Sequence, residues 1–266
     1  MRSSLKCSAQ RELTVTRRGD DLKSALVLST ALAVTGASAV PFLLPSLAPE
    51  ARRLPLPLPV FCAVLAVQLL VLYGLFAFAG LRLARARGLQ PAPELTAIWE
   101  RPAGHAGWRR AGVSFAIGVG CGALLIAAVA AIRRFLPGTL PGMLHPRGIV
   151  AALLSSAAGS LGEEILFRLF GLSLLLRLLP EGRVWSGLAV SLSALAFAAA
   201  HAPAAVFLFG GWQRVPLASW AWMVGLNGLL GITFGMVFLR AGVVCAVLAH
   251  LGTDMVWHAA SQLSSA

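Results

Sequence analysis

Long apolar runs separated by short polar stretches organise this chain. Seven can be read, at roughly 24–47, 60–81, 112–135, 148–179, 184–207, 216–239 and 242–262. An α-helix needs about 20 apolar residues to cross a hydrocarbon core of about 30 Å, and each run is long enough. Within them Leu, Ala and Val follow one another without strict alternation, so the pattern predicts helical spans and not barrel strands. The fourth run has room for a short interfacial helix followed by a span. Pro41 and Pro45 predict a kink or an end to the first. A signal peptide cleaved at "ASA", residues 37–39, is the alternative for the N-terminus. The apolar character continues past that point from Val40 to Leu47, which favours a retained span.

Composition strengthens this picture. Of the 266 residues, 58% are hydrophobic and 12% charged, about half the charge of a soluble domain. The expected fold is therefore an all-α, polytopic membrane bundle of seven helices. It divides into a basic tail (1–23), N-terminal transmembrane helices (24–147) and a C-terminal core (148–266). Cys7, Cys62, Cys121 and Cys245 are far apart and form no C-x-x-C pair, so they suggest neither a disulfide framework nor a thiolate metal site.

The net charge of +12 is distributed between the apolar runs and forms no basic face with interleaved aromatics, which argues against a nucleic-acid partner. With the N-terminus inside, the inner side holds the basic tail, Arg82, Arg85, Arg87, Arg101, Arg109, Arg110, Arg177, Arg183 and Arg240. The outer side holds Arg52, Arg53, Arg133, Arg134, Arg147 and Arg214. That bias predicts a cytoplasmic N-terminus. The preference for Arg over Lys, with abundant Ala, Gly and Pro, points to a bacterial cytoplasmic membrane. Gly118/Gly122 and Gly231/Gly235 have the spacing that lets helices approach closely.

Against this background a few polar groups stand out inside the spans: Glu163, Glu164, Arg168, His201, Asn227, His250, Asp254 and His258. An ionised side chain near the bilayer centre costs about 2.5–3.5 kcal/mol on insertion scales. In "GEEILFRLF", residues 162–170, Glu164 and Arg168 stand four apart and can pair on one face. Glu163 is turned about 100° away and is left to address something else. His250 and Asp254 are also four apart, while His201 comes from a third helix and is followed by Pro203. Asn227 and His258 suit structural roles, and His105 and His145 fall in loops.

A carboxylate with an imidazole can deprotonate a water, and a second imidazole can stabilise an oxyanion. Such a set would hydrolyse a peptide bond without a serine or cysteine nucleophile. Two His and one Glu can also hold Zn²⁺, and the same groups can form the proton relay of a transporter. Depth raises a difficulty for the set. With unbroken helices His201 falls near the outer end of its span, while Glu163 and His250 fall nearer the inside. A loop around 180–190 or broken helices would be needed to bring them level.

"EEILFR", "FAAAH" and "HLGTD" fit E-E-x-x-x-R, F-x-x-x-H and H-x-x-x-(N/D), in order on successive spans. Together they resemble the CPBP family, the CAAX protease and bacteriocin-processing (Abi) proteins, and are similar to the type II CAAX prenyl endopeptidases. The resemblance covers residues 159–258. It implies an intramembrane endopeptidase acting on a membrane-associated or lipid-linked protein or peptide, with membrane lipid around it. Glu163 would be the general base assisted by His201. His250 and Asp254 would form the oxyanion site, and Glu164 and Arg168 would support the catalytic helix. It implies no catalytic metal, so zinc is not the favoured reading. Asp254 departs from the Asn of the prenyl endopeptidases, because an ionised Asp cannot donate to an oxyanion. It would have to be protonated, or orient His250 so that the imidazole donates. The competing functions are a non-catalytic scaffold or bacteriocin self-immunity protein and, less favoured, a proton-coupled transporter.

Overall fold

The computed structural model describes residues 2–46, 54–100, 105–135 and 148–263. Regular structure among them is helical throughout. Seven stretches are long and apolar enough to cross a membrane: Gly19–Leu43, Leu58–Arg85, Gly107–Phe135, Ile149–Leu178, Arg183–Phe209, Leu217–Ala241 and Val243–Ala260. The protein is an all-α polytopic bundle, as the apolar pattern predicts. Large side chains such as Leu75, Leu124 and Leu195 face outward, while Ser24, Ser156, Ser160 and Ser193 are buried with many alanines. Such a distribution suits a solvent of lipid tails, where small residues allow helices to approach closely.

Several boundaries differ from the sequence expectation. Helix α1 (Arg2–Leu43) runs back through the basic stretch, so the expected tail is helical from Arg2. It ends two residues after Pro41. Helix α2 is Leu58–Arg85, and a short α3 (Pro93–Glu100) follows. Helix α4 (His105–Phe135) starts before residue 112, so His105, Arg109 and Arg110 belong to its first two turns and not to a loop. Long basic side chains let a helix continue beyond the apolar zone, because their heads reach water. Arg52, Arg53, Arg101, Arg147 and His145 lie outside the described residues.

The fourth span is continuous, with no separate interfacial helix. It comprises α5 (Ile149–Glu163), a π-helical segment (Glu164–Leu172) and α6 (Ser173–Leu178). The fifth is broken: α7 (Arg183–Ala199) stops before His201 and α8 (Ala202–Phe209) resumes after it. Pro203 lies in the first turn of α8, where its missing N–H is not needed. Helices α9 (Leu217–Ala241) and α10 (Val243–Leu263) complete the bundle.

The π-helical segment lies at the centre, touching α2, α7, α9 and α10, and α4 packs along α10. A Cβ on Gly118 would collide with the Ala249 carbonyl, and one on Gly122 would stand 2.9 Å from the Thr253 oxygen. Gly231 faces Ala194 equally closely, at 2.9 Å. The two glycine pairs are helix-packing faces, as their spacing predicts.

At one end of the bundle the connections lock together. Arg85 pairs with buried Asp21 at 2.6 Å, and Arg87 pairs with Glu181 at 2.8 Å while donating to the Leu179 carbonyl. The Val243 N–H donates to the Pro91 carbonyl at 2.7 Å, beside Gly242, whose φ of +89° a residue with a Cβ would resist. The loops after α2, after α6 and after α9 therefore share one surface.

Candidate active site

The central span brings the acidic pair to the core. Glu164 and Arg168 have no exposed surface, and Arg168 Nη1 lies 3.1 Å from Glu164 Oε1. The pairing inferred from the four-residue spacing is present. The Arg168 guanidinium also lies 4.2 Å from the Phe197 ring and 5.5 Å from the Phe234 ring, within cation–π range. Its Nη2 approaches the Gly231 carbonyl at 3.4 Å.

His250 of α10 ties this pair to the remaining carboxylates. Its Nδ1 is 2.9 Å from Glu164 Oε1, and since a carboxylate only accepts, Nδ1 carries the proton it donates. The opposite nitrogen, Nε2, stands 3.7 Å from Glu163 Oε2 and 3.6 Å from Asp254 Oδ1. Both separations exceed a direct hydrogen bond and leave room for an intervening oxygen. Phe234 stacks on the imidazole, with centroids 4.6 Å apart and planes at 19°. Glu164 thus does more than support its helix: it fixes the ring orientation and tautomer of His250.

His201 joins the group through Phe197. That ring meets the His201 imidazole at 4.9 Å and the His250 imidazole at 5.7 Å, both edge-on. The depth difficulty is thereby resolved: His201, at the break between α7 and α8, and His250 meet the same Phe197 ring and line one cavity. His201 Nδ1 donates to the Phe197 carbonyl at 2.9 Å, which leaves Nε2 as the acceptor in the neutral ring. Among the described residues no hydrogen bond or ion pair joins His201 to Glu163.

His201, His250 and Asp254 line a cavity of about 300 Å³, walled mainly by apolar residues including Leu125, Trp222 and Leu226. Its size is at the lower limit for a ligand site. Asn227 also lines it, with its amide donating to the Met223 carbonyl one turn back. Glu163 does not line the cavity. Its side chain, at the end of α5, is 36% exposed and shares the Nε2 edge of His250 with Asp254.

Three contributors escape the polar-residue pattern. Phe197 and Phe234 wall in Arg168 and His250, and Ser193 Oγ donates to the Phe167 carbonyl at 2.7 Å in the π-helical segment. Phe197 is the first residue of "FAAAH", so its fixed spacing to His201 was a signal. Phe234 and Ser193 look like ordinary span residues. Glu163, His201 and His250 are ligand types for a metal, yet among the described residues no three His, Cys, Asp or Glu side chains are arranged to hold one.

Residues 145–256 match the family model described as Type II CAAX prenyl endopeptidase Rce1-like. No curated protein and no solved structure is a significant match to the chain. The matched stretch contains the whole cluster, from Glu163 on α5 to Asp254 on α10. Over this segment, somewhat less than half of the chain, the protein is similar to the Rce1-like type II CAAX prenyl endopeptidases.

Proposed function

We propose that this protein is an intramembrane endopeptidase hydrolysing a peptide bond in a membrane-associated or lipid-linked protein or peptide. The observation that carries the reading is His250, held by Glu164 through Nδ1 while Nε2 faces Glu163 and Asp254. A water between Glu163 Oε2 and the imidazole edge gives its proton to Glu163 and attacks the carbonyl carbon. In its imidazolium form His250 donates Nε2–H to the oxyanion that develops, while Nδ1–H remains on Glu164. On collapse, Glu163 returns the proton to the leaving amine.

His201 Nε2 is an acceptor at the cavity wall and assists in holding the water. Orientation of His250 falls to Glu164, so Asp254 is free to bind water or substrate at the Nε2 side. The apolar cavity suits aliphatic substrate groups next to the cleaved bond. The basic residues gathered at the end that carries Arg85, Arg87 and Arg240 support a cytoplasmic N-terminus, and the composition supports a bacterial cytoplasmic membrane.

The test compares protein termini in membranes of cells carrying wild type or Glu163→Gln at matched expression. A set of termini present only with wild type is the expected result. Identical profiles would remove the catalytic reading in favour of a scaffold. Cleavage lost to a chelator and restored by Zn²⁺ would replace the metal-free mechanism.

A further inference from the structure

Helices α4 and α9 meet only along a short stretch, and at one end their separation leaves a notch. Arg109 and Arg110 from the first turns of α4 and Arg240 from the last turn of α9 surround it, above Val113, Ile117 and Val237. Its volume is about 550 Å³. Among the described residues, none of the three guanidiniums makes an ion pair. Trp108, 73% exposed, stands at the same level, where an indole anchors a helix at the membrane interface.

The floor of the notch identifies the occupant. Val113 and Ile117 are open to the surroundings, 53% and 40% exposed, and lie one to two turns deeper into the span than the arginines. A soluble anion would leave this apolar wall uncovered, whereas a lipid places its phosphate among the guanidiniums and its first methylenes on the wall. Three unpaired arginines favour a net-negative headgroup over a zwitterionic one. Basic pockets between transmembrane helices are a recurring means of holding such headgroups.

We infer that Arg109, Arg110 and Arg240 form a binding site for the phosphate of an anionic glycerophospholipid, whose chains follow the α4–α9 seam. The site is separate from the His250 cluster and does not depend on the proposed chemistry. Each arginine near a lipid phosphate is worth about five-fold in affinity, and the three together about a hundredfold.

The test places the full-length protein in phosphatidylcholine nanodiscs containing a few per cent phosphatidylglycerol. Lipid retained after detergent extraction is then counted by native mass spectrometry. Wild type should retain phosphatidylglycerol selectively. Arg109→Gln/Arg110→Gln/Arg240→Gln should lose that selectivity by about a hundredfold, and Arg240→Gln alone by about five-fold. Arg133→Gln/Arg134→Gln/Arg214→Gln, at the other membrane surface, should keep it. Equal loss in both triple variants would mean general charge attraction and overturn the site. Displacement of the lipid by millimolar inorganic phosphate would also overturn it, by showing that a free anion suffices.

Discussion

The buried pair between Glu164 and Arg168 supports a prediction with a definite sign. Arg168 Nε and Nη1 and Glu164 Oε2 have no hydrogen-bond partner among the described residues, so the ion pair is the main compensation for both buried charges, beside the His250 contact of Glu164. Removing one member of such a pair leaves an uncompensated buried charge and costs about 3–5 kcal/mol. Arg168→Met should therefore destabilise the protein by about 4 kcal/mol, of which about 1–2 kcal/mol is the lost contact with the Phe197 and Phe234 faces. Glu164→Gln should cost a similar amount while preserving an acceptor for His250 Nδ1–H. Replacing both removes the stranded charge, so the double variant should lose only about 2 kcal/mol, less than either single change. The measurement is equilibrium unfolding by a denaturing surfactant in mixed micelles, followed by tryptophan fluorescence, as a double-mutant cycle. Additive single effects, or a loss below about 1 kcal/mol for Arg168→Met, would refute the account of a mutually dependent buried pair.

Other consequences are local. Glu163→Gln should reduce peptide cleavage by about 10²–10⁴-fold, with unfolding stability within about 1 kcal/mol of wild type because the side chain is partly exposed. Gly118→Val should destabilise by at least about 2 kcal/mol through collision with the Ala249 backbone. Gly120→Ala, where a Cβ meets open space, should be neutral or stabilise by up to about 1 kcal/mol; the same unfolding assay checks both. Ser193→Ala should cost about 0.5–1.5 kcal/mol by removing the second hydrogen bond to the Phe167 carbonyl. Its amide exchange should rise in residues 164–172 before it rises in α7.

Lipid as solvent made the fold legible. A span must satisfy its own backbone and face hydrocarbon, so a run of about 20 apolar residues nearly dictates a helix. Errors fell where this constraint weakens. The first turns of α4 lie at the membrane edge, and His105, Arg109 and Arg110 read as loop although the helix already includes them. Helix α3 is too short and too polar to register as a span. Within the site, the Glu164–Arg168 pair was readable because both residues belong to one helix and local geometry joins them. The hydrogen bond from His250 to Glu164 crosses from α10 to the fourth span, and the packing of α10 on α5 and on the π-helical segment sets that approach. Phe234 stacks on His250 for the same non-local reason.

The π-helical segment connects these parts physically. Buried positions in it are Glu164, Ile165, Arg168, Leu169 and Leu172, with Ser173 just beyond: two rows repeating every four residues. In an α-helix a four-residue repeat drifts steadily around the axis, since one turn holds 3.6 residues. The wider turn of an i→i+5 helix reduces that drift and keeps both rows against α2, α7 and α10. Rare geometry of this kind tends to occur at functional sites, and the bundle stabilises it by specific contacts. Ser193 takes the Phe167 carbonyl, and Gly80 lets α2 approach so closely that a Cβ there would collide with the Leu169 carbonyl. The segment begins at Glu164, immediately after Glu163. One carboxylate therefore closes an α-helix and remains partly exposed at the His250 edge, while its neighbour opens the π-helix and is buried on Arg168. The change of helix type separates the environments of two adjacent glutamates: one can meet water, and the other holds the imidazole.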